Sequence, residues 1–301
     1  MRQQQCPVCG TVDSKIGKNF SLKSCEECGV YWTLIQSDIN TAALYEDEVY
    51  AVVDNRNSIF EKIIFQEAKN VIQSVESLFK GKTAIRCLDF GSGKGQFLYQ
   101  AQSAGWEAIG IETAPQRATF AQEKYGVSVI EEKYQFGKID TGNYDVITLF
   151  HVLEHLPSPL ELLNNLCENN LRKGGILVIE VPNIDSWQHK LAADQWMHLD
   201  IPKHLSHWNE KLLVNKVEAL GFKKVKGQYF SLHLGVLGSL RALIGKFGYT
   251  GNIIYDLKNR KKPLLLLGIM AVLPISLLLE VFALPFRKTG IVRLYFIKDE
   301  S

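Results

Sequence analysis

No sign of charge dominates this chain. Its 34 lysines and arginines nearly balance 32 aspartates and glutamates, for a formal net charge of +2. No global field therefore favours nucleic acid or membrane, and any basic patch must be local. The amino terminus, MRQQQCPVCG, lacks the apolar run of a secretory signal, so a cytoplasmic location is expected. Cysteines number only six and are not spread as a disulfide framework: four fall in two pairs and two are isolated, which suits a reducing compartment. The phosphate-loop pattern G-x-x-x-x-G-K-[ST] is absent. With 301 residues, 46% of them hydrophobic and 22% charged, the chain has an ordinary globular composition. It has length for one large domain and a small module, or for two domains.

The paired cysteines are the first positive signal. CPVCG supplies Cys6 and Cys9, and CEECG supplies Cys25 and Cys28, in the spacing C-x2-C-x15-C-x2-C. Four thiolates on two such turns satisfy a tetrahedral Zn2+. Gly10 and Gly29 follow the pairs and let the backbone turn so that its N–H groups face the sulfurs. A small zinc ribbon with a structural Zn2+ is expected over residues 1–38. Lys15, Lys18 and Lys23, with few aromatics, form too weak a basic surface to favour nucleic acid.

A helical linker or lid is expected over residues 39–80, with apolar Ile59, Ile63, Ile64, Val71, Val75 and Leu78 at helical spacing and Gly81 as the stop. Then AIRCLDF reads as a buried strand, GSGKG as a tight turn, QFLYQAQSAG as a helix and EAIGIE as a second strand, a βαβ unit. Gly91, Gly93 and Gly95 are spaced G-x-G-x-G, unlike the dinucleotide G-x-G-x-x-G. Asp89 before the loop sits poorly against a pyrophosphate and well against a cationic amino group. Glu112 ends the second strand, where an acid binds ribose hydroxyls. A ligand with a ribose, a positive amino group and no phosphate fits, and S-adenosylmethionine is such a ligand.

The segments CLDFGSGKG, IGIE, YDVITLFHVLEHL and LRKGGILVIEVPN resemble, in that order, the class I methyltransferases that use S-adenosylmethionine. QWMHLDIPKHLSHW followed by LLVNKVEALGF is similar to one bacterial branch, several members of which carry an amino-terminal cysteine module. The resemblance implies an α/β, Rossmann-like methyltransferase fold over residues 81–301: a seven-stranded, mostly parallel sheet with an antiparallel strand 7. It implies that the methionine moiety lies near Asp89, Gly91, Ser92, Gly93 and Gly95, the ribose at Glu112, and the adenine at an acid after strand three, Glu131 or Glu132.

FHVLEHLP also matches H-x-x-E-H, a zinc-protease pattern, through His151, Glu154 and His155. That pattern needs one helix carrying both histidines. Here Tyr144–Phe150 reads as a strand and Pro157 and Pro159 follow, so catalytic zinc is not expected. His151 instead lines the cofactor pocket at the strand's carboxyl end. Glu154 and His155 read as a hydrogen-bonded pair at the crevice lip, the carboxylate raising the imidazole's basicity for proton removal. In HLDIPKHLSHW, beside His198, Asp200 and His207, His204 is the candidate acceptor contact on a covering loop.

FKKVKGQYF reads as strand six and GIVRLYFIKD as strand seven, with an apolar insertion at about 232–288 between them. Pro263 to Phe286 carries one charge, Glu280; Lys258, Arg260, Lys261 and Lys262 precede it, and Arg287 and Lys288 follow. Roughly 20 apolar residues cross a bilayer. If strands six and seven share a sheet, however, both ends lie on one side. A re-entrant or interfacial hairpin bent at Pro274 is therefore expected, holding the chain peripherally at the inner face of the cell membrane. GVLGSLRALIGKFG adds an amphipathic helix. The expected acceptor is a small-molecule, glycan or lipid-linked one, first a sugar of the cell envelope. The alternatives are a lipid or prenylated quinone, RNA held by the zinc ribbon, or a non-enzymatic cofactor-binding scaffold.

Overall fold

Short apolar runs alternating with amphipathic helices build a layered α/β domain. The computed structural model describes residues 5–12, 14–16, 22–33, 54, 56–79, 81, 84–132, 142–251, 253, 256 and 263–299. In chain order the elements are β1 (Ser14–Ile16), β2 (Leu22–Cys25), β3 (Tyr31–Thr33), α1 (Ile59–Leu78), β4 (Arg86–Phe90), α2 (Gln96–Ser103), β5 (Glu107–Glu112), α3 (Pro115–Tyr125), β6 (Ser128–Glu131) and β7 (Tyr144–Phe150). Then come α4 (Pro159–Asn169), β8 (Leu171–Pro182), α5 (Trp187–Ala192), β9 (Ser206–His207), α6 (Glu210–Glu218), β10 (Phe222–Gln228), α7 (Leu237–Gly245), α8 (Pro263–Ala283) and β11 (Ile291–Lys298).

The main sheet runs β10-β11-β8-β7-β4-β5-β6. Its β4, β5, β6, β7 and β8 pair in parallel, while β11 is antiparallel to both β8 and β10. This is the expected methyltransferase sheet with its reversed seventh strand. Strand order turns back between β4 and β7, so the crevice of an open α/β sheet opens at their carboxyl ends. Asp89 and His151 stand there. Strands covered on both faces read as continuous apolar runs; Glu180 in β8 and Arg293 in β11 break that rule and lie directly opposite each other in register.

The helix expected in a linker is a layer of this domain. Ser58 caps α1, accepting from the Glu61 backbone N–H. Ala68, Val71, Ile72 and Val75 then bury against Phe97, Leu98 and Trp106. An apolar stripe of that width requires a partner surface, and α2 with the loop into β5 supplies it. The rest of the expected linker, 39–53, lies outside the described residues.

The cysteine ribbon is likewise joined to the domain. β1, β2 and β3 form an antiparallel sheet whose fourth strand is β9, through Tyr31↔His207 and Trp32↔Ser206. Val8, Val30 and Trp32 share one core with Leu153, Trp208 and Leu212. Thr33 Oγ1 donates to the His204 carbonyl and lies 3.1 Å from His207 Nε2.

In the insertion, α8 continues through Pro274. The bend thus falls elsewhere than expected: the hairpin is made by α7 and α8, packed through Leu240, Ile244, Ile253, Leu265 and Ile269. A proline costs its helix one N–H donor, and here the turns on both sides are held independently. α7 holds the first half. Glu280 holds the second, accepting from Gln188 Nε2 at 2.9 Å, Ser239 Oγ at 2.6 Å and the Gly290 N–H at 3.1 Å. Among the described residues, one helical stretch, Leu264–Phe286, is long and apolar enough to cross a membrane, with mean hydropathy 2.5 and 17% of its most apolar window buried. Arg287 is paired with Glu210, and Lys288 with Asp185. Lys258, Arg260, Lys261 and Lys262, expected as the upstream basic flank, lie outside the described residues, as does Lys18.

Candidate active site

The glycine loop leaves β4 with Gly91, Gly93 and Gly95 all in the left-handed region, at φ 77°, 55° and 76°. The Gly91 and Ser92 N–H groups donate to the Ile111 carbonyl at 2.8 and 3.0 Å, pinning the loop to β5. A Cβ on Gly91 would meet Val152 at 2.6 Å, and one on Gly95 would meet Ala121 and Val127 at 2.8 Å. On Gly93 it would meet nothing within 4 Å. Gly91 and Gly95 therefore serve close packing, and Gly93 leaves its backbone open to the crevice.

Glu112 reaches back to this loop. Its Oε2 accepts from the Gly93 N–H at 2.7 Å, and its Oε1 from the Ala114 N–H at 2.8 Å. Each oxygen keeps a second lone pair for a hydroxyl donor. Glu131 pairs with Glu112 across β5 and β6 and is exposed, as is Glu132. Asp89 is 1% exposed and accepts from Thr148 Oγ1 at 2.6 Å. Burial, with a further push from the Glu112 charge, raises it to about 7 against the pull of the Thr148 hydroxyl. Such a carboxyl fits a ligand that brings its own positive charge. Ser92 Oγ is buried without a hydrogen-bond partner among the described residues and packs against Gly110. The expected cofactor residues Asp89, Gly91, Ser92, Gly93, Gly95 and Glu112 thus converge at one edge of the sheet, with Glu131 at its rim.

Glu112→Ala is expected to weaken S-adenosylmethionine affinity about tenfold or more and to lower the melting temperature. Each backbone N–H left without an acceptor costs ~1–3 kcal/mol. Calorimetric titration and thermal melting check both; unchanged affinity would remove Glu112 from the ribose site.

The Methyltransferase domain family's sequence model matches residues 61–226, more than half of the chain. This chain belongs to that family. It carries a class I, S-adenosylmethionine-dependent methyltransferase domain, and the match leaves out the ribbon, α7, α8 and β11. The fold is similar to that of a SAM dependent methyltransferase from Archaeoglobus fulgidus, with TM-score 0.51 and 21% identity over 79% of this chain and 94% of the other. A Ubiquinone biosynthesis O-methyltransferase from Xanthomonas campestris pv. campestris is 24% identical over 142 residues, 44% of this chain and 59% of the relative. The chain thus spans about three fifths of the length of the curated relatives it matches.

On the other side of the methyltransferase crevice, β7 ends at Phe150 and His151 takes φ 56°, followed by a tight turn at Leu153–His155. The two histidines of H-x-x-E-H therefore share no helix, as expected. His151 lies between two carboxylates: Nδ1 is 3.2 Å from Glu154 Oε1 and Nε2 is 3.0 Å from Glu180 Oε1. Burial disfavours its charge, but the two acids outweigh burial and raise it to about 10. Burial likewise opposes ionisation of Glu154 and Glu180, yet cationic neighbours hold both at about 2. Arg293 continues the array, 2.5 Å from Glu180, and Glu67 pairs with His233 at 2.8 Å.

Glu154 therefore pairs with His151, not with His155 as expected. His155 is instead lowered to about 4, first by burial and then by the adjacent His204, so its basicity falls rather than rises. Its Nδ1–H donates to the Lys203 carbonyl at 3.2 Å. His204 is buried, its Nδ1–H donating to the His198 carbonyl at 2.8 Å, and its ring meets that of His155 edge-on at 4.6 Å. His198 and His207 are buried too, so the covering loop belongs to the core. Sequence reasoning missed Thr148, Glu67, Glu180, Arg293 and His233. A lone acid in ILVIEVPN and a lone base in IVRLYFI were the available signal, since a charge in a buried strand requires a partner.

At the ribbon, Cys6 and Cys28 sulfurs are 3.6 Å apart, those of Cys9 and Cys25 3.4 Å apart, and all four lie within 4.8 Å of one another. Zn–S bonds of 2.3 Å in a tetrahedron put sulfurs about 3.8 Å apart, so the set fits Zn2+. Gly10 and Gly29, at φ 75° and 74°, close the two turns by donating to the Cys6 and Cys25 carbonyls.

Proposed function

We propose that this methyltransferase modifies an acceptor presented at the inner face of a membrane: a sugar of a cell-envelope glycan on its lipid carrier. The observation that carries this reading is α8, exposed and apolar yet fixed to the domain through Glu280. The same hairpin touches the covering loop, since His198 Nε2 lies 3.3 Å from the Leu234 carbonyl and α7 presses on His198 at Gly238. An acceptor held at a headgroup layer would thus meet the crevice directly.

S-adenosylmethionine supplies a methyl group on a sulfonium that is already an activated leaving group. The chain's task is alignment and removal of one proton. Asp89 binds the cationic amino group, Gly93 leaves room for it, and Glu112 takes the ribose hydroxyls. Glu131 stands at the adenine end, and His151 walls the pocket beside Glu180. Glu154, His155 and His204 are the polar groups assigned to the acceptor. They reach the cofactor side through Val152, which packs on Gly91. The four ribbon cysteines hold a structural Zn2+.

A prenylated quinone is the second reading, favoured by the ubiquinone-biosynthesis relative. Incubating the full chain with methyl-labelled S-adenosylmethionine and bacterial membrane extract separates the two. Label is expected in the lipid-linked glycan fraction. Label in the quinone fraction would replace the first reading by the second, and label in RNA would overturn both. Cofactor binding without any labelled product would leave a scaffold.

A further inference from the structure

Three polar groups near the crevice point at one another from two separate segments. Glu154 and His155 come from the turn after β7, and His204 from the loop between α5 and β9. One ligand atom from each lies within 4.8 Å of the others. Their meeting is fixed by backbone, because the Leu205 N–H donates to the Glu154 carbonyl at 2.6 Å. Glu154 is 1% exposed, and while its Oε1 is engaged by His151, its Oε2 is buried without a hydrogen-bond partner among the described residues. A carboxylate oxygen in that condition is costly unless something cationic meets it.

The imidazoles are set in a matching way. Both use Nδ1–H on backbone carbonyls, His155 on Lys203 and His204 on His198. That bond fixes the tautomer with the lone pair on Nε2, the arrangement that metal-binding histidines adopt. Two imidazoles and one carboxylate form a donor set that holds zinc with a coordination position left open. Bonds of 2.0–2.2 Å would place the donors roughly 3.4 Å apart, so the cluster has only to contract.

We propose that Glu154, His155 and His204 bind a divalent first-row transition ion, zinc by donor set, whose open position takes an oxygen of the acceptor. A hydroxyl on the ion becomes acidic enough to release its proton to water. It then meets the methyl group as an alkoxide: its bond to carbon forms as the carbon–sulfur bond breaks. The H-x-x-E-H string thus contributes two of its three residues to a metal site, while His151 serves as the salt-bridged neighbour of Glu154. The acceptor role rests on the methyltransferase reading; metal binding does not.

Metal content of the full chain, equilibrated in a zinc buffer and measured by mass spectrometry, tests this. Two zinc ions per chain are expected in the wild type and one in Glu154→Gln and in the double variant His155→Gln/His204→Gln. Cobalt in place of zinc is expected to add the weak visible bands of a nitrogen–oxygen site to the strong thiolate absorption, and Glu154→Gln to remove only the former. One zinc per chain, lost wholly on Cys6→Ser/Cys9→Ser, would overturn the proposal. Should the double variant not fold, the near-isosteric Glu154→Gln decides. Calorimetry with S-adenosylmethionine on the same samples keeps the readings apart: two zinc ions without cofactor binding would sink the methyltransferase reading and leave the metal site standing.

Discussion

Asparagine in place of Asp89 is expected to weaken S-adenosylmethionine binding roughly 10- to 100-fold at pH 8, because a hydrogen bond to a charged group contributes about 1.5–3 kcal/mol. The Thr148 hydroxyl keeps an acceptor in the amide oxygen, so the fold is not the casualty. The pH dependence gives the sharper check. In the free protein, burial and the Glu112 charge hold Asp89 at about 7, and a cationic ligand pulls it down. Binding therefore releases a proton wherever the free carboxyl is still protonated. Wild-type affinity should rise with pH up to about 7 and level off above it, falling at most about tenfold per unit on the acid side; Asp89→Asn should show no such slope. For stability the sign is opposite. A carboxyl raised by folding stabilises fully below its unfolded value and loses that contribution as pH rises through 7. The variant should thus melt no lower than wild type at pH 8. Titration calorimetry in buffers of different ionisation enthalpy reads the released proton, and an unchanged affinity profile in the variant would take Asp89 out of the cofactor site.

The second large effect concerns where the protein is found. Leu267, Met270, Leu278 and Phe282 are 65%, 64%, 54% and 65% exposed on α8. Each is worth about 1.5–3 kcal/mol when taken out of water, so four together dominate any partition into lipid. Changing all four to serine should move the chain from the membrane pellet to the supernatant. Cofactor binding and melting temperature should hold, because these side chains contribute little to the domain. Continued sedimentation with membranes would show that α8 is not the anchor. A change from dimer to monomer without loss of membrane attachment would instead make this face a contact between copies of the chain.

Much of the sheet was legible because parallel strands buried on both faces leave nearly continuous apolar runs. YDVITLF, for example, settles as β7, buried along nearly its whole length and paired in parallel with β4 and β8. The glycine loop and Glu112 were legible for a local reason: turn geometry and strand ends are written within a few residues of each other. The histidine site was only half legible. Adjacent Glu154 and His155 invite pairing, yet the left-handed His151 and the turn after it send the two side chains to different partners. His204 meets them through a long-range backbone hydrogen bond from Leu205 to Glu154 that no local pattern announces. The bend expected at Pro274 failed for a related reason. Proline's local penalty was outweighed by Glu280, whose partners Gln188, Ser239 and Gly290 are distributed over three segments.

The sheet of the ribbon has a consequence for how the chain assembles. Its last strand, β9, arrives 174 positions after Thr33, as measured by the Thr33–His207 contact. A ribosome therefore completes the cysteine turns long before the edge of β3 finds its partner, and the closing step is a non-local pairing of the kind that folds slowly. A shortened chain begun after residue 33 would forfeit more than an appendage. Trp208, fully covered in the intact chain, would lose neighbours contributed by the ribbon, and the loop bearing His204 would lose the hydroxyl of Thr33 that tethers it.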